Sequence, residues 1–359
     1  MRIELPISKS IANRLLILQA IHGDGLTTVS CDMPDDVRIM SEAIRLLGER
    51  REARIDLGNC GTAMRFLTAY CAQLDGKMVI LEGVERMHHR PIGQLVDALR
   101  EIGADVEYLG EEGFPPLRIK GCILDKHRIV TINNPLSTQF VSALLLIGAN
   151  VQTDSTSPYI TLTRELIQHY TTLHNSIQRY TIEKDWSSAA FWYEYVALQG
   201  GEITLPGLSR DSLQGDKVVA DIFVHLGVHT EYTEEGITIT KNEDEEFLIQ
   251  QYEQQKSTTQ TTKSNNTLNI DFSACPDLYP AVALTCERLG VEIHATGVES
   301  LPLKESDRLR AVREHRTDAD HRMAMALLIA GYEVDDIACI SKSYPQFIEQ
   351  WKSVNTSNE

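Results

Sequence analysis

The chain has 359 residues, 42% of them hydrophobic and 24% charged, enough for a sizeable core divided over two domains. Asp and Glu number 51 against 34 Lys and Arg, a formal net charge of −17, which argues against a general nucleic-acid or anionic-membrane binder. No apolar run nears the roughly 20 residues of a membrane helix, and seven scattered Cys without CxxC spacing indicate a reducing cytoplasm rather than a disulfide framework or a structural zinc.

In chain order, MRIELPISKS starts like a strand and carries no apolar signal region. Asp35 to Gly48 (DDVRIMSEAIRLLG) has helical periodicity and runs straight into ERREARIDLGN. Leu95 to Gly121 reads as helix, Gly stop, strand, acidic Gly turn and second strand. The segment from Pro158-Tyr159 (PYITLTRELIQHY) is helical without such a tail, and Trp186, Trp192, Tyr193 and Tyr195 share one helix as core side chains. Val218 to Thr240 repeats the Leu95 unit, Gly227 matching Gly103 and Glu234-Glu235-Gly236 matching Glu111-Glu112-Gly113. Gly past the last helical turn supplies a left-handed cap, and the Glu-Glu-Gly turn closes a hairpin. Two such units about 124 residues apart predict duplicated α/β building blocks rather than one doubly wound sheet. Residues 242–267 are rich in Gln, Thr and Ser and read as a surface loop. Asp307 to Val312 begins another helix that passes into REHRTDADHRMAM without a hairpin.

The placing of cations in this acidic chain is informative. Lys9 and Arg14 lie in PISKSIANR, Arg65 in GNCGTAMRF, Arg86 and Arg90 in ERMHHRPIG, Lys304 and Arg308 in LPLKESDR, Arg322 in DHRMAM and Lys342 in SKSYP. Each stands by Gly, Ser or Pro at a predicted strand-to-helix junction, where backbone N–H groups and the Ser10, Thr62, Ser137 and Thr138 hydroxyls suit phosphate or carboxylate. Any one Arg alone reads as a surface ion pair worth little. Together they make sense if they converge on one cleft between domains around a multiply anionic substrate. Asp277 in CPDLYP and Glu305 after Lys304 either pair with neighbouring cations or move protons, since a carboxylate in a pure anion site is otherwise expensive. GNCGT is a weak phosphate-loop signal, and no Walker or GxGxxG motif is present. His88-His89 and His321 show no metal-ligand pattern and read as structural.

Taken together, SKSIANR, DDVRIM, LGNCGTAMRFLTA, ERMHHRPIGQLVDALR, LSTQFVSALL, SPYITLT, DWSSAAFW, GDKVVADIF, PDLYPAVA, LKESDRL, DHRMAMAL and SKSYP resemble, in order and end to end, the 5-enolpyruvylshikimate-3-phosphate synthase family. The resemblance implies transfer of the enolpyruvyl group of phosphoenolpyruvate to the 5-hydroxyl of shikimate-3-phosphate by a cytoplasmic monomer without metal or organic cofactor, whose partners are these small anions and neither nucleic acid nor membrane. It implies an α/β fold of two similar domains, each of three βαβαββ units, with the active site in the interdomain cleft. The first domain would span residues 9–182 and the second residues 1–8 plus 183–359.

Residue by residue, the resemblance gives Lys9 contact with both substrates. It gives Ser10, Arg14, Ser137, Thr138, Gln139, Tyr159, Asp277 and Lys304 to shikimate-3-phosphate, Thr138 replacing a family Ser. Arg90, Arg308, Arg322 and Lys342 would clamp phosphoenolpyruvate beside Gln139 and the loop carrying Asn59, Gly61 and Thr62. Asp277 and Glu305 match the two catalytic carboxylates, with Lys9 and Lys342 assisting proton transfer and phosphate departure. The resemblance also implies a further strand-turn-strand after Gly48, Tyr170 and Val312, and the chain lacks all three while every binding motif is intact. Such losses are expected to expose backbone edges and apolar surface. The family's Asn shortly before Lys304 is replaced by Ser300 or thereabouts. The sister family acting on UDP-N-acetylglucosamine fits poorly, since Ser10 follows Lys9 and no Cys precedes Arg90-Pro91. A binding protein that cannot turn over is the other alternative, favoured by the missing tails and opposed by Asp277 and Glu305.

Overall fold

A computed structural model describes residues 1–24, 30, 32–173, 182–242, 262–264 and 266–356. The chain divides into two compact units, one of Lys9–Cys31 and Asp35–Ile182, the other of Met1–Ser8, Asp32–Pro34 and Glu183–Glu359.

The first unit opens with α1 (Lys9–His22) and α2 (Asp35–Glu49). There follow β1 (Glu52–Asp56), α3 (Gly61–Ala72), β2 (Met78–Glu82), α4 (Gly93–Glu101), β3 (Asp105–Tyr108) and β4 (Leu117–Lys120). Glu52 to Lys120 is thus an unbroken βαβαββ unit. Its sheet runs β1-β2-β4-β3, with β1 and β2 parallel as a crossover helix requires and β4 antiparallel to both neighbours. Gly103 ends α4 at φ +98, conformational space that only Gly enters freely, and Tyr108 then pairs with Leu117 across the acidic turn. A shorter βαβα run follows, β5 (Ile129–Thr131), α5 (Thr138–Leu146), β6 (Asn150–Gln152) and α6 (Pro158–Leu173), its two strands parallel. Ile11 and Leu15 of α1 pack with Leu162 and Leu166 of α6 as a small buried cluster.

The second unit is built on α7 (Trp186–Gln199), where Trp186, Trp192, Tyr193 and Tyr195 are buried, as the sequence predicts, and Phe191 with them. Asp185 caps it, its carboxylate accepting the Ser188 N–H at 3.1 Å. The Trp192 indole donates to the Tyr344 hydroxyl at 3.1 Å, so a large apolar body keeps its polar edge satisfied. Glu194 lies in the same buried face with 0% exposure, and neither carboxyl oxygen has a hydrogen-bond partner among the described residues. Burial holds its carboxyl well above the usual range, so it sits in the core neutral.

After α7 come β7 (Glu202–Pro206), α8 (Val219–Val224), β8 (Val228–Tyr232) and β9 (Gly236–Lys241), a sheet ordered β7-β9-β8. Gly227, at φ +83, ends α8 as Gly103 ends α4. Next are β10 (Thr262–Ser264), β11 (Thr267–Asp271), α9 (Tyr279–Leu289) and β12 (Glu292–Thr296), then α10 (Arg308–Glu314), α11 (His321–Ile329) and α12 (Phe347–Thr356). The N-terminal segment makes two isolated bridges rather than a regular strand, Arg2 beside Thr204 and Ile7 beside Lys184. Ile3 donates to the Thr204 carbonyl at 2.9 Å, and Thr204 donates to that of Met1 at 2.7 Å.

The loop reading of 242–267 falls mostly on residues outside those described. Where the segment is described it is partly a correction: Thr262–Ser264 pairs antiparallel with β11, Asn266 taking the left-handed turn at φ +67. At two of the three shortened connections the chain closes directly. Only Arg50 and Arg51 separate α2 from β1. Between α10 and α11, His315, Asp318 and Ala319 adopt φ +50, +46 and +56, a cluster of left-handed non-Gly residues. The first closure leaves Met78 41% exposed, its N–H bonded to the Arg51 carbonyl at 2.9 Å, so some apolar surface is bared there, whereas the second strains backbone. The connection after Tyr170 runs into residues outside those described.

Candidate active site

Each unit carries its own group of basic residues. In the first, Lys9 is the first residue of α1, and its ammonium lies 2.9 Å from the Asp36 carboxylate of α2, which is buried. Arg14 is one turn further on. It donates to the Ser10 carbonyl at 2.7 Å, the Thr163 hydroxyl at 2.7 Å, the Ser142 hydroxyl at 3.2 Å and the Tyr159 carbonyl at 3.4 Å. All four acceptors are neutral, and burial pushes its pKa down to about 10. Arg14 thereby ties α1, α5 and α6 together and lies inside a helix, not at the predicted junction. Arg65 is likewise interior to α3, donating to the Gly61 and Pro91 carbonyls.

The GNCGT loop turns from β1 into α3. Asp56 accepts the Gly58 N–H at 2.8 Å, and Cys60 caps the helix by accepting from the Ala63 N–H at 3.4 Å. A Cβ at Gly61 would lie under 3.0 Å from both the Arg65 and the Arg90 guanidinium, so only Gly lets these cations close on the loop. Arg90, 6% exposed, donates to the Asn59 carbonyl at 3.4 Å, while its Nε is buried and meets no acceptor among the described residues. Gln139 reaches from α5 to the Thr62 hydroxyl at 3.0 Å. Ser137 caps α5, accepting the Gln139 N–H, and Thr138 and Tyr159 open α5 and α6 with half-buried side chains.

The second unit brings Asp277, Lys304, Glu305, Arg308, Arg322 and Lys342 together. Asp277 sits in the 3-10 turn before α9 and bridges cations, meeting Arg308 at 2.7 Å, Arg322 at 2.9 Å and Lys304 at 3.3 Å. Burial by itself would raise its pKa; Arg322, Lys304 and Arg308 together hold it well below the carboxylate range, against a smaller opposing push from Glu305. Burial and Arg308 lower the Lys304 ammonium, with Asp277 pulling the other way. Glu305 takes Lys342 at 2.9 Å and Arg308 at 3.1 Å. Arg308, 1% exposed and the first residue of α10, also grips Asp320. Burial alone would lower Arg308, but Asp320, Asp277 and Glu305 raise it.

Asp36 and Asp320 were not singled out from the sequence. Their signal was available, an acidic residue at the start of a helix beside a basic motif, but it also describes any ordinary helix cap. His88 and His89 both face Glu85, and among the described residues no three His, Cys, Asp or Glu are placed to hold a metal ion.

The profile of the EPSP synthase (3-phosphoshikimate 1-carboxyvinyltransferase) family matches residues 49–315 and 313–351. A 3-phosphoshikimate 1-carboxyvinyltransferase of Bacteroides fragilis is 37% identical over 406 aligned positions, covering 96% of this chain and 93% of the relative. With 96% of 359 residues spread over 406 positions, about sixty positions of that relative face gaps here, in keeping with the shortened connections. A relative of the same name from Erwinia tasmaniensis is 30% identical, covering 97% of this chain and 94% of its own. The solved EPSP synthase of Acinetobacter baumannii superposes with a TM-score of 0.62 at 17% identity over 98% of this chain and 95% of that one, which shows the shared enolpyruvyl transferase fold. By profile, identity and fold, the chain belongs to the EPSP synthase family.

Proposed function

We propose that the chain transfers the enolpyruvyl group of phosphoenolpyruvate to the 5-hydroxyl of shikimate-3-phosphate and releases inorganic phosphate, a step of the shikimate pathway toward chorismate and the aromatic amino acids. Its two compact units read as the two domains, and the enzyme as a cytoplasmic monomer without metal or organic cofactor. Among the described residues no helix is long and apolar enough to cross a membrane. The observation that carries the reading is the second-unit cluster, where Asp277 and Glu305 stand among Lys304, Arg308, Arg322 and Lys342. A site that only held anions would gain nothing from those carboxylates.

In this reading Ser10, Arg14, Ser137, Thr138, Gln139, Tyr159 and Lys304 hold shikimate-3-phosphate, with Lys9 touching both substrates. Arg90, Arg308, Arg322 and Lys342 hold phosphoenolpyruvate beside Asn59, Gly61, Thr62 and Gln139. The buried Arg90 Nε, without an acceptor among the described residues, supports an anion there, because an unsatisfied charged donor is costly until a ligand supplies its partner. The phosphoenolpyruvate carboxylate takes the place of Asp277 on Arg308 and Arg322. Relieved of two cations, Asp277 regains basicity and accepts the proton of the 5-hydroxyl. The oxygen bonds to C2, the methylene gains a proton and later returns one, and the C2–O bond to phosphate breaks. Lys9 and Lys342 assist these proton transfers and neutralise the departing phosphate, and Glu305, paired with Lys342, is the second carboxylate of the relay.

The test is phosphate release by purified protein given shikimate-3-phosphate plus phosphoenolpyruvate, with each alone as control. Release requiring both supports the reading. Folded protein that binds but releases none points to a binding-only relative.

A further inference from the structure

We propose that Asp320 is a positioning residue, holding the Arg308 guanidinium in the orientation that receives phosphoenolpyruvate; this rests on reading the chain as an enolpyruvyl transferase. Three carboxylates surround Arg308, and they differ in reach. Asp277 has a side chain 24% exposed and Glu305 10%, while that of Asp320 is 0% exposed. An incoming anion can compete for Arg308 with the first two. It cannot displace Asp320 without leaving a fully desolvated carboxylate deprived of the cation it grips, which is strongly unfavourable.

The contacts are directional. Asp320 Oδ2 accepts from Arg308 Nε at 2.8 Å, and Oδ1 accepts from Nη2 at 3.3 Å, so one carboxylate spans one edge of the guanidinium fork. Nη1 is left on the side of Asp277, the group that is most exposed. A guanidinium held along the Nε–Nη2 edge cannot swing, and its remaining donors meet substrate already oriented. The same carboxylate is tied down twice more. Oδ2 accepts from the Ser306 hydroxyl at 3.2 Å, and Oδ1 accepts the Arg322 backbone N–H at 2.9 Å as the cap of α11. Arg322 is the other guanidinium on Asp277. One buried residue thus sets the register of two cations on separate helices.

The experiment measures initial phosphate release by wild type, Asp320→Asn, Asp320→Ser, Arg308→Lys and the Arg308→Lys/Asp320→Asn double variant, varying each substrate in turn. Thermal unfolding and circular dichroism are followed alongside. Asn and Ser both keep a cap acceptor for α11 while removing the charged grip on Arg308. The expected result is a KM for phosphoenolpyruvate raised about tenfold or more in Asp320→Asn and Asp320→Ser, with the KM for shikimate-3-phosphate within about twofold of wild type. In the Arg308→Lys background, where no Nε–Nη2 edge exists, Asp320→Asn should add little to that KM. Unchanged KM values with a lower melting temperature, equal rises in both KM values, additive effects in the double variant, or failure of both Asp320 variants to fold would each overturn the proposal and leave Asp320 a helix cap. Wild-type protein with no release dependent on both substrates would overturn the underlying reading instead.

Discussion

Glu194 offers the sharpest test of the core. Its carboxyl is fully buried on α7, neither oxygen is hydrogen-bonded among the described residues, and burial keeps it protonated far above the ordinary Glu value of 4.5. The folded state therefore binds a proton that the unfolded chain releases once the pH exceeds about 4.5. Because the native state holds more protons, stability falls as pH rises, by about 1.4 kcal/mol per pH unit, until the raised native pKa is reached. Accumulated over the pH range below the raised native pKa, this loss is a noticeable share of a typical domain's stability. Glu194→Gln removes the titration at nearly constant shape, and Glu194→Met also removes the unsatisfied oxygens. Urea unfolding at pH 5.5, 6.5 and 7.5, followed by tryptophan fluorescence, reads the relevant unit, since Trp186, Trp192 and Trp351 all lie in it. Both variants should gain on wild type steadily with pH. A stability difference flat across this range would refute the argument, because it would mean that Glu194 is ionised and paired when folded.

Three other outcomes follow from the geometry. Gly61→Ala should raise the KM for phosphoenolpyruvate about tenfold with little loss of melting temperature, because the new methyl displaces the far ends of Arg65 and Arg90 and not packed backbone; substrate kinetics with both substrates varied would check it. Arg14→Met should lower stability by about 2–4 kcal/mol in urea titrations, since it removes the three hydrogen bonds to Thr163, Ser142 and Tyr159 that tie α1 to α5 and α6. Ala319→Gly should stabilise by about 0.5–1 kcal/mol, as Gly occupies φ +56 without the Cβ clash, and an unchanged or lower melting temperature would refute the strain assigned to that connection.

The short motifs were readable because their chemistry is local. GNCGT must turn tightly before a helix, and Asp307 announces the start of α10 whatever surrounds it. The two Gly-stopped helices and their hairpins were readable for the same reason, since Gly103 and Gly227 meet a backbone demand within their own turn. Arg14 was misplaced because a buried Arg bonded to hydroxyls and carbonyls has the same sequence signature as an exposed one at a helix start. Asp36 and Asp320 escaped notice because their partners, Lys9 and Arg308, are fixed by tertiary packing and not by spacing. The strand at 262–264 was hidden by polar composition; its pairing depends on β11, not on hydrophobic alternation.

The placing of Met1–Ser8 in the second unit has a consequence for biosynthesis. These residues precede the whole first unit in the chain, yet their partners Lys184 and Thr204 are made almost two hundred residues later. At about 5–20 residues per second the segment waits roughly 10–40 s for them. The first unit can condense during that interval, whereas the second must recruit its opening segment after the fact. A bulky fusion ahead of Met1 should therefore delay maturation of the unit that contains Asp277, Arg308 and Arg322, and spare the one that contains Arg14 and Arg90.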